Sequence, residues 1–84
     1  MTERQREILE RMAAHPDDDE GELVMEGREA WLDLERTSPA LVFSLLRLMV
    51  ISAVHADGKV GGVERYRINE TGRNLLAALA KGEK

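Results

Sequence analysis

Apolar residues recur along this chain at two different spacings. Ile8, Leu9, Met12 and Ala13 fall at helical intervals on one face. They follow Thr2-Glu3-Arg4-Gln5, which fits a capping box: the threonine hydroxyl meets the third helical amide and the glutamine reaches back. Glu7 precedes Arg11 by one turn, a favourable helix pair, and His15-Pro16 ends the segment, because proline disfavours helical backbone in the residue before it. Leu23-Val24-Met25 fits either a short strand or the first turn of a following helix. Ala30, Trp31 and Leu34 form the apolar side of a predicted second helix, with Glu29, Asp33 and Glu35 outside and Arg36-Thr37 closing it. Ser38-Pro39 opens a third, since serine is a preferred cap and proline suits the first helical position. From Ala40 to Ile51 this helix is apolar on almost every side. The spacing then changes to alternation. Ile51-Ser52-Ala53-Val54-His55 and Val63-Glu64-Arg65-Tyr66-Arg67-Ile68 read as half-buried strands, with Tyr66 and Ile68 inward and Arg65 and Arg67 outward. Between them the glycines of Asp57-Gly58-Lys59-Val60-Gly61-Gly62 permit the left-handed angles of a hairpin tip. Asn69 is a good helix cap, and Leu75, Leu76 and Leu79 line a closing helix.

Composition narrows this picture. The 84 residues predict a single domain over 1–84, burying about 60–65% of the surface its unfolded chain exposes. Oligomerisation would help so small a core. The absence of cysteine excludes disulfides and cysteine-ligated zinc. The longest apolar run, Leu48 to Val54 with Ser52 inside it, is too short to cross a bilayer, so no membrane partner is expected. The charged start, Thr2 to Glu7, leads into no signal-peptide core, and a cytoplasmic location is the expectation. Charge is divided unevenly. Met1–Glu35 holds 4 basic and 12 acidic residues, a net of −8, and Arg36–Lys84 holds 8 basic and 4 acidic, a net of +4. A basic half of that kind can rest on phosphates while the acidic half faces away.

Catalytic chemistry is not indicated. His55 and Asp57 are near enough for an acid–base pair but lie beside a hairpin turn with no evident pocket, and His15 is a helix-end residue. No enzyme activity, cofactor or metal is expected. The acidic run Asp17-Asp18-Asp19-Glu20-Gly21 fails the EF-hand register, because Gly21 falls at position 5 and Glu22 at position 6; it reads as a solvated loop.

Two helices joined by the tight Arg36-Thr37-Ser38 turn make a helix-turn-helix. Trp31 to Leu48 resembles the second and third helices of bacterial and phage winged helix-turn-helix regulators, with Val42, Leu45, Leu46 and Met49 at positions that family buries. Tyr66-Arg67-Ile68-Asn69-Glu70-Thr71-Gly72-Arg73 resembles the phrase that closes their wing, where threonine more often stands at the Asn69 position. The resemblance covers about three quarters of the chain. It implies a mainly α fold with a β-hairpin wing and a dimeric, double-stranded-DNA-binding transcription regulator of bacterial or phage type. The residues that would serve are Arg36, Arg47, Lys59, Arg65, Arg67 and Arg73 on phosphates, with limited base contact from Thr37, Ser38, Ser44 and Arg47.

The same helix also supports a different reading. It shows few donors to base edges, and Leu41, Phe43 and Leu48 lie off its expected buried face. A helix apolar nearly all round is usually covered all round, which points to a homodimer or a protein partner and to an interaction module that binds no DNA. A rival parse dispenses with the hairpin. Ala56-Asp57-Gly58-Lys59-Val60, with Glu64 following, resembles the interhelical loop of tellurite-resistance-type helical domains, the preceding helix running from Leu41 through His55. Gly61-Gly62 and the alternation through Ile68 weigh against it.

Overall fold

Between Glu22 and Ser38 the chain reverses twice, each time through two residues, and this decides the architecture. The computed structural model describes residues 1–54 and 62–82. Helix α1 spans Glu3–Ala14, strands β1 Leu23–Glu26, β2 Glu29–Leu32 and β3 Glu35–Thr37 follow, and α2 spans Pro39–Arg47. Strands β4 Ile51–Ala53 and β5 Val63–Ile68 lead to α3, Glu70–Gly82. All strand pairs are antiparallel, in the order β3-β2-β1-β5-β4. This is a small α+β domain with a five-stranded sheet, not a mainly α fold with a hairpin wing.

The correction has a local cause. Ala30, Trp31 and Leu34 have helical spacing, but the segment between them is strand–turn–strand. Ala30 and Leu32 are fully buried, whereas Leu34 is 89% exposed at the tip of the Asp33-Leu34 turn. Burial thus runs with period two, and Trp31 points away from the core. Gly27 and Asp33, the first residues of the two turns, both have positive φ, +62° and +56°, which suits tight hairpins between twisted strands. No helix precedes α2 across the Arg36-Thr37-Ser38 segment, so the expected helix-turn-helix is absent.

Other local signals act as expected. Thr2 and Gln5 form the reciprocal capping box, at 3.1 and 2.7 Å. Ser38 caps α2 through the Ala40 amide at 3.1 Å, with Pro39 in the first position. Arg11 pairs with Glu35 on β3 instead of Glu7, so α1 is tied to the sheet edge. Helix α2 joins the two sheet edges. Five strands span roughly 19 Å at about 4.8 Å each, and the nine residues of α2 cover about 13.5 Å of that.

All three helices lie on one face of the sheet. Between the layers sit Ile8, Leu9 and Met12 of α1, Val42 and Leu45 of α2, and the inward strand residues Leu23, Met25, Ala30, Leu32, Ile51, Tyr66 and Ile68, with Val50 beside them. The inward and outward assignments made for β5 agree with this core. The opposite sheet face carries no helix among the described residues.

Candidate docking surface

Among the described residues, most of the predicted phosphate contacts are already engaged within the chain. On the open sheet face, strand register aligns Arg36, Trp31, Val24 and Arg65 in a row across β3, β2, β1 and β5. Val54 extends the row, its amide bonding Arg65 O at 2.8 Å. Arg36 and Arg65 therefore share a face, yet each guanidinium is engaged. Arg36 lies over the Trp31 ring, 5.8 Å from its centroid, and pairs with Glu29 at 3.1 Å. Arg65 and Arg67 both reach Glu22, at 2.8 and 3.5 Å, and the Glu22 side chain is only 11% exposed. Arg67 also donates to the carbonyls of Pro16 and Asp18, and Arg73 donates to that of Ile68. Because β5 inserts beside β1, the basic half of the chain is interleaved with the acidic half instead of facing a separate direction.

Thr37, Ser38 and Ser44 do come together, with Arg36, Arg4, Gln5 and Leu41, around an open cleft of about 660 Å³ where α1 and α2 begin. Its polar atoms are mostly committed. Ser44 donates to Leu41 O and accepts from Gln5 Nε2, and the Ser38 hydroxyl caps Ala40. Pro39 has no amide hydrogen, and the Leu41 and Val42 amides bond Ser38 O. The first turn of α2 thus has no spare N–H for an anion. Arg4 is shared between Glu7 and Glu35. Lys59, His55 and Asp57 lie outside the described residues, as does most of the expected hairpin tip.

The far end of α2 has a different character. Phe43 is 55% exposed, Leu48 43% and Met49 72%. Leu41, by contrast, is half-buried against the core. Leu46, one turn after Phe43, lines a shallow cleft of about 430 Å³ with Leu48, Met49, Ile51, Ser52, Asn69 and Thr71. Arg47, one turn beyond Phe43, meets no carboxylate among the described residues.

Met49, expected to be buried, is turned outward by its backbone. Helix α2 ends in a Schellman arrangement: the Met49 amide bonds Leu46 O at 3.0 Å and the Val50 amide bonds Leu45 O at 3.4 Å. That places Met49 at the left-handed position, φ +62°, where glycine is normally preferred because a Cβ is crowded there. Val50 and Leu45 supply the apolar contact that accompanies the motif, both buried. Sequence reasoning could have found this end from the abrupt change from helical to alternating spacing at Leu48-Met49-Val50.

Fold and surface together define a small α+β domain with a sheet face whose arginines are paired within the chain and an apolar edge at the end of α2. No family profile, no curated protein and no solved structure matches the chain. Among the described residues, no helix is long and apolar enough to cross a membrane.

Proposed function

We propose that this protein is an interaction module that self-associates through the C-terminal end of α2, with Phe43, Leu48 and Met49 as the central contacts. The observation that carries this reading is Met49. It holds a long apolar side chain in solvent, 72% exposed, on a backbone geometry of φ +62° that favours glycine. Residues held in disfavoured conformations cluster where function requires them. Leu48 lines the same shallow cleft as Met49, Phe43 is exposed one turn before Leu46, and core contacts of an interface are enriched in aromatic residues and methionine. A stable interface buries about 800 Å² per partner, so the edge recruits polar neighbours such as Ser52 and Thr71.

The test is the mass in solution, by analytical ultracentrifugation, of the parent chain and of Phe43→Glu and Met49→Glu. A parent dimer that both variants convert to a folded monomer supports the reading; a parent monomer at all concentrations, or variants that remain dimeric, overturns it. Arg47 favours a second reading, phosphate anchoring on duplex DNA, because no carboxylate neutralises it among the described residues. Anisotropy titration of labelled duplex at about 50 and 200 mM salt separates the two. Salt-sensitive binding lost in Arg47→Ala supports DNA, and no binding at the lower salt removes it.

A further inference from the structure

We propose that His15, Asp18 and Glu20 form a three-ligand site for a zinc-class divalent cation at the C-terminal end of α1. His15 Nδ1 lies 3.3 Å from Asp18 Oδ2 and 3.1 Å from Glu20 Oε2. The three ligating atoms all fall within 4.8 Å of one another. Zinc binds nitrogen and carboxylate oxygen at about 2.0–2.2 Å in a tetrahedron, whose edge is then roughly 3.3–3.5 Å. The separations from the ring nitrogen, 3.3 and 3.1 Å, lie within a few tenths of an ångström of that edge.

Electrostatics and donor chemistry point the same way. One imidazole nitrogen faces two carboxylates, and a single N–H cannot serve both well, whereas a cation between them meets all three. No arginine or lysine forms an ion pair with the Asp18 or Glu20 carboxylate among the described residues, Arg67 reaching only the Asp18 carbonyl, and Asp17 and Asp19 add further negative charge beside them. The site also caps α1, where His15 is the C-cap and the negative end of the helix dipole favours a cation. One imidazole with two carboxylates suits zinc, cobalt or nickel; calcium and magnesium prefer oxygen alone.

The scaffold is fixed from outside the cluster. Arg67, on β5, holds the carbonyls of Pro16 and Asp18 at 2.9 and 3.2 Å. Gly21 is packed so closely that a Cβ there would stand 1.8 Å from His15 O. The backbone that carries the three ligands is therefore held in place by β5 and the end of α1, and their side chains stand partly open to solvent.

Calorimetric titration of the tag-free chain with zinc chloride tests this. One zinc per chain is expected, with affinity reduced tenfold or more in His15→Ala, Asp18→Asn and Glu20→Gln, and unchanged in His55→Ala. Asp18→Asn retains the oxygen that caps the Glu20 amide, and circular dichroism confirms that each variant is folded. Zinc at ten times its Kd should raise Tm by about 5 °C or more in the parent chain and leave the Glu20→Gln value nearly unmoved. Absence of stoichiometric binding at millimolar zinc overturns the proposal. So does binding that survives His15→Ala, which would show ions held diffusely by the acidic run.

Discussion

The end of α2 and the start of α3 touch each other but are built on opposite terms. At the start of α3 almost everything is satisfied. Asn69 caps the helix with its Oδ1, 2.8 Å from the Gly72 amide, while its Nδ2 donates to Met49 O and Ser52 Oγ. Its own amide bonds Val50 O. Gly72 then lets the helix rest directly on Val50 and Ile68. Across this junction, Met49 keeps a strained backbone and an exposed side chain. Only the peptide carbonyl of Met49 is needed by Asn69, and glycine would supply it equally well. The difference teaches that the helix end demands a left-handed residue at position 49 but not a methionine, since glycine would take that backbone with less strain.

The tight side should break most sharply. A Cβ at Gly72 would lie 2.4 Å from Val50 O and 2.7 Å from Ile68 Cγ1, and a backbone oxygen cannot move aside cheaply. Gly72→Ala should therefore lose about 2–3 kcal/mol in urea unfolding, the upper range for overpacking. A loss below about 0.5 kcal/mol, the scale of an ordinary surface substitution, would show that α3 is not seated as closely as drawn.

Asn69 separates capping from clamping. Asn69→Ala removes the cap and both donated bonds and should cost about 2 kcal/mol, whereas Asn69→Thr keeps a capping oxygen and should cost about half as much. Equal losses would mean that the donations to Met49 O and Ser52 Oγ contribute nothing. On the open side the sign reverses. Met49→Gly should stabilise the monomer by about 1 kcal/mol through relief of the left-handed strain, while weakening self-association. If it destabilises the chain, the Met49 side chain supports the fold and the contrast between the two helix ends fails.

These two ends were not equally legible in the sequence. The Asn69 cap, the Ser38-Pro39 start and the Thr2/Gln5 box are local devices, and each reads directly from a few adjacent residues. The inward Tyr66 and Ile68 likewise follow from simple alternation. The sheet itself does not, because β5 pairs with β1 across more than thirty-five intervening residues, and nothing in Val63–Ile68 names its partner. Trp31 and Leu34 mislead because their spacing satisfies a helix while the intervening Leu32 is the buried residue. Phe43 and Leu48 were readable as exposed apolar positions on α2. Met49 was not, since only the left-handed turn at the helix end rotates it away from the core. The His15 cluster is not legible as a motif, because a calcium register starting at Asp17 leaves out the imidazole, which joins the acidic run from the preceding helix end.

The smallest structural effect, a single phenol proton, sharpens the contrast by spectroscopy. Tyr66 is the chain's only tyrosine; it is 5% exposed on the helix-facing side of β5, two residues before Ile68. Burial pushes its pKa up to about 12, assisted by the Glu64 carboxylate that accepts its hydroxyl at 2.8 Å. In the unfolded chain tyrosine titrates near 10. Below pH 10 both states keep the proton, so this group adds no pH dependence. Between about 10 and 12 the unfolded state releases it first, and stability should fall as pH rises through the folded value. Absorbance titration near 295 nm should therefore show a native phenol ionising about two units late. Tyr66→Phe should remove that part of the alkaline loss, while costing about 1 kcal/mol at neutral pH for the missing hydrogen bond. A native midpoint near 10 would mean that water reaches the inner face of β5, and the layer anchored by Asn69 and Gly72 would then be no more closed than the edge at Met49.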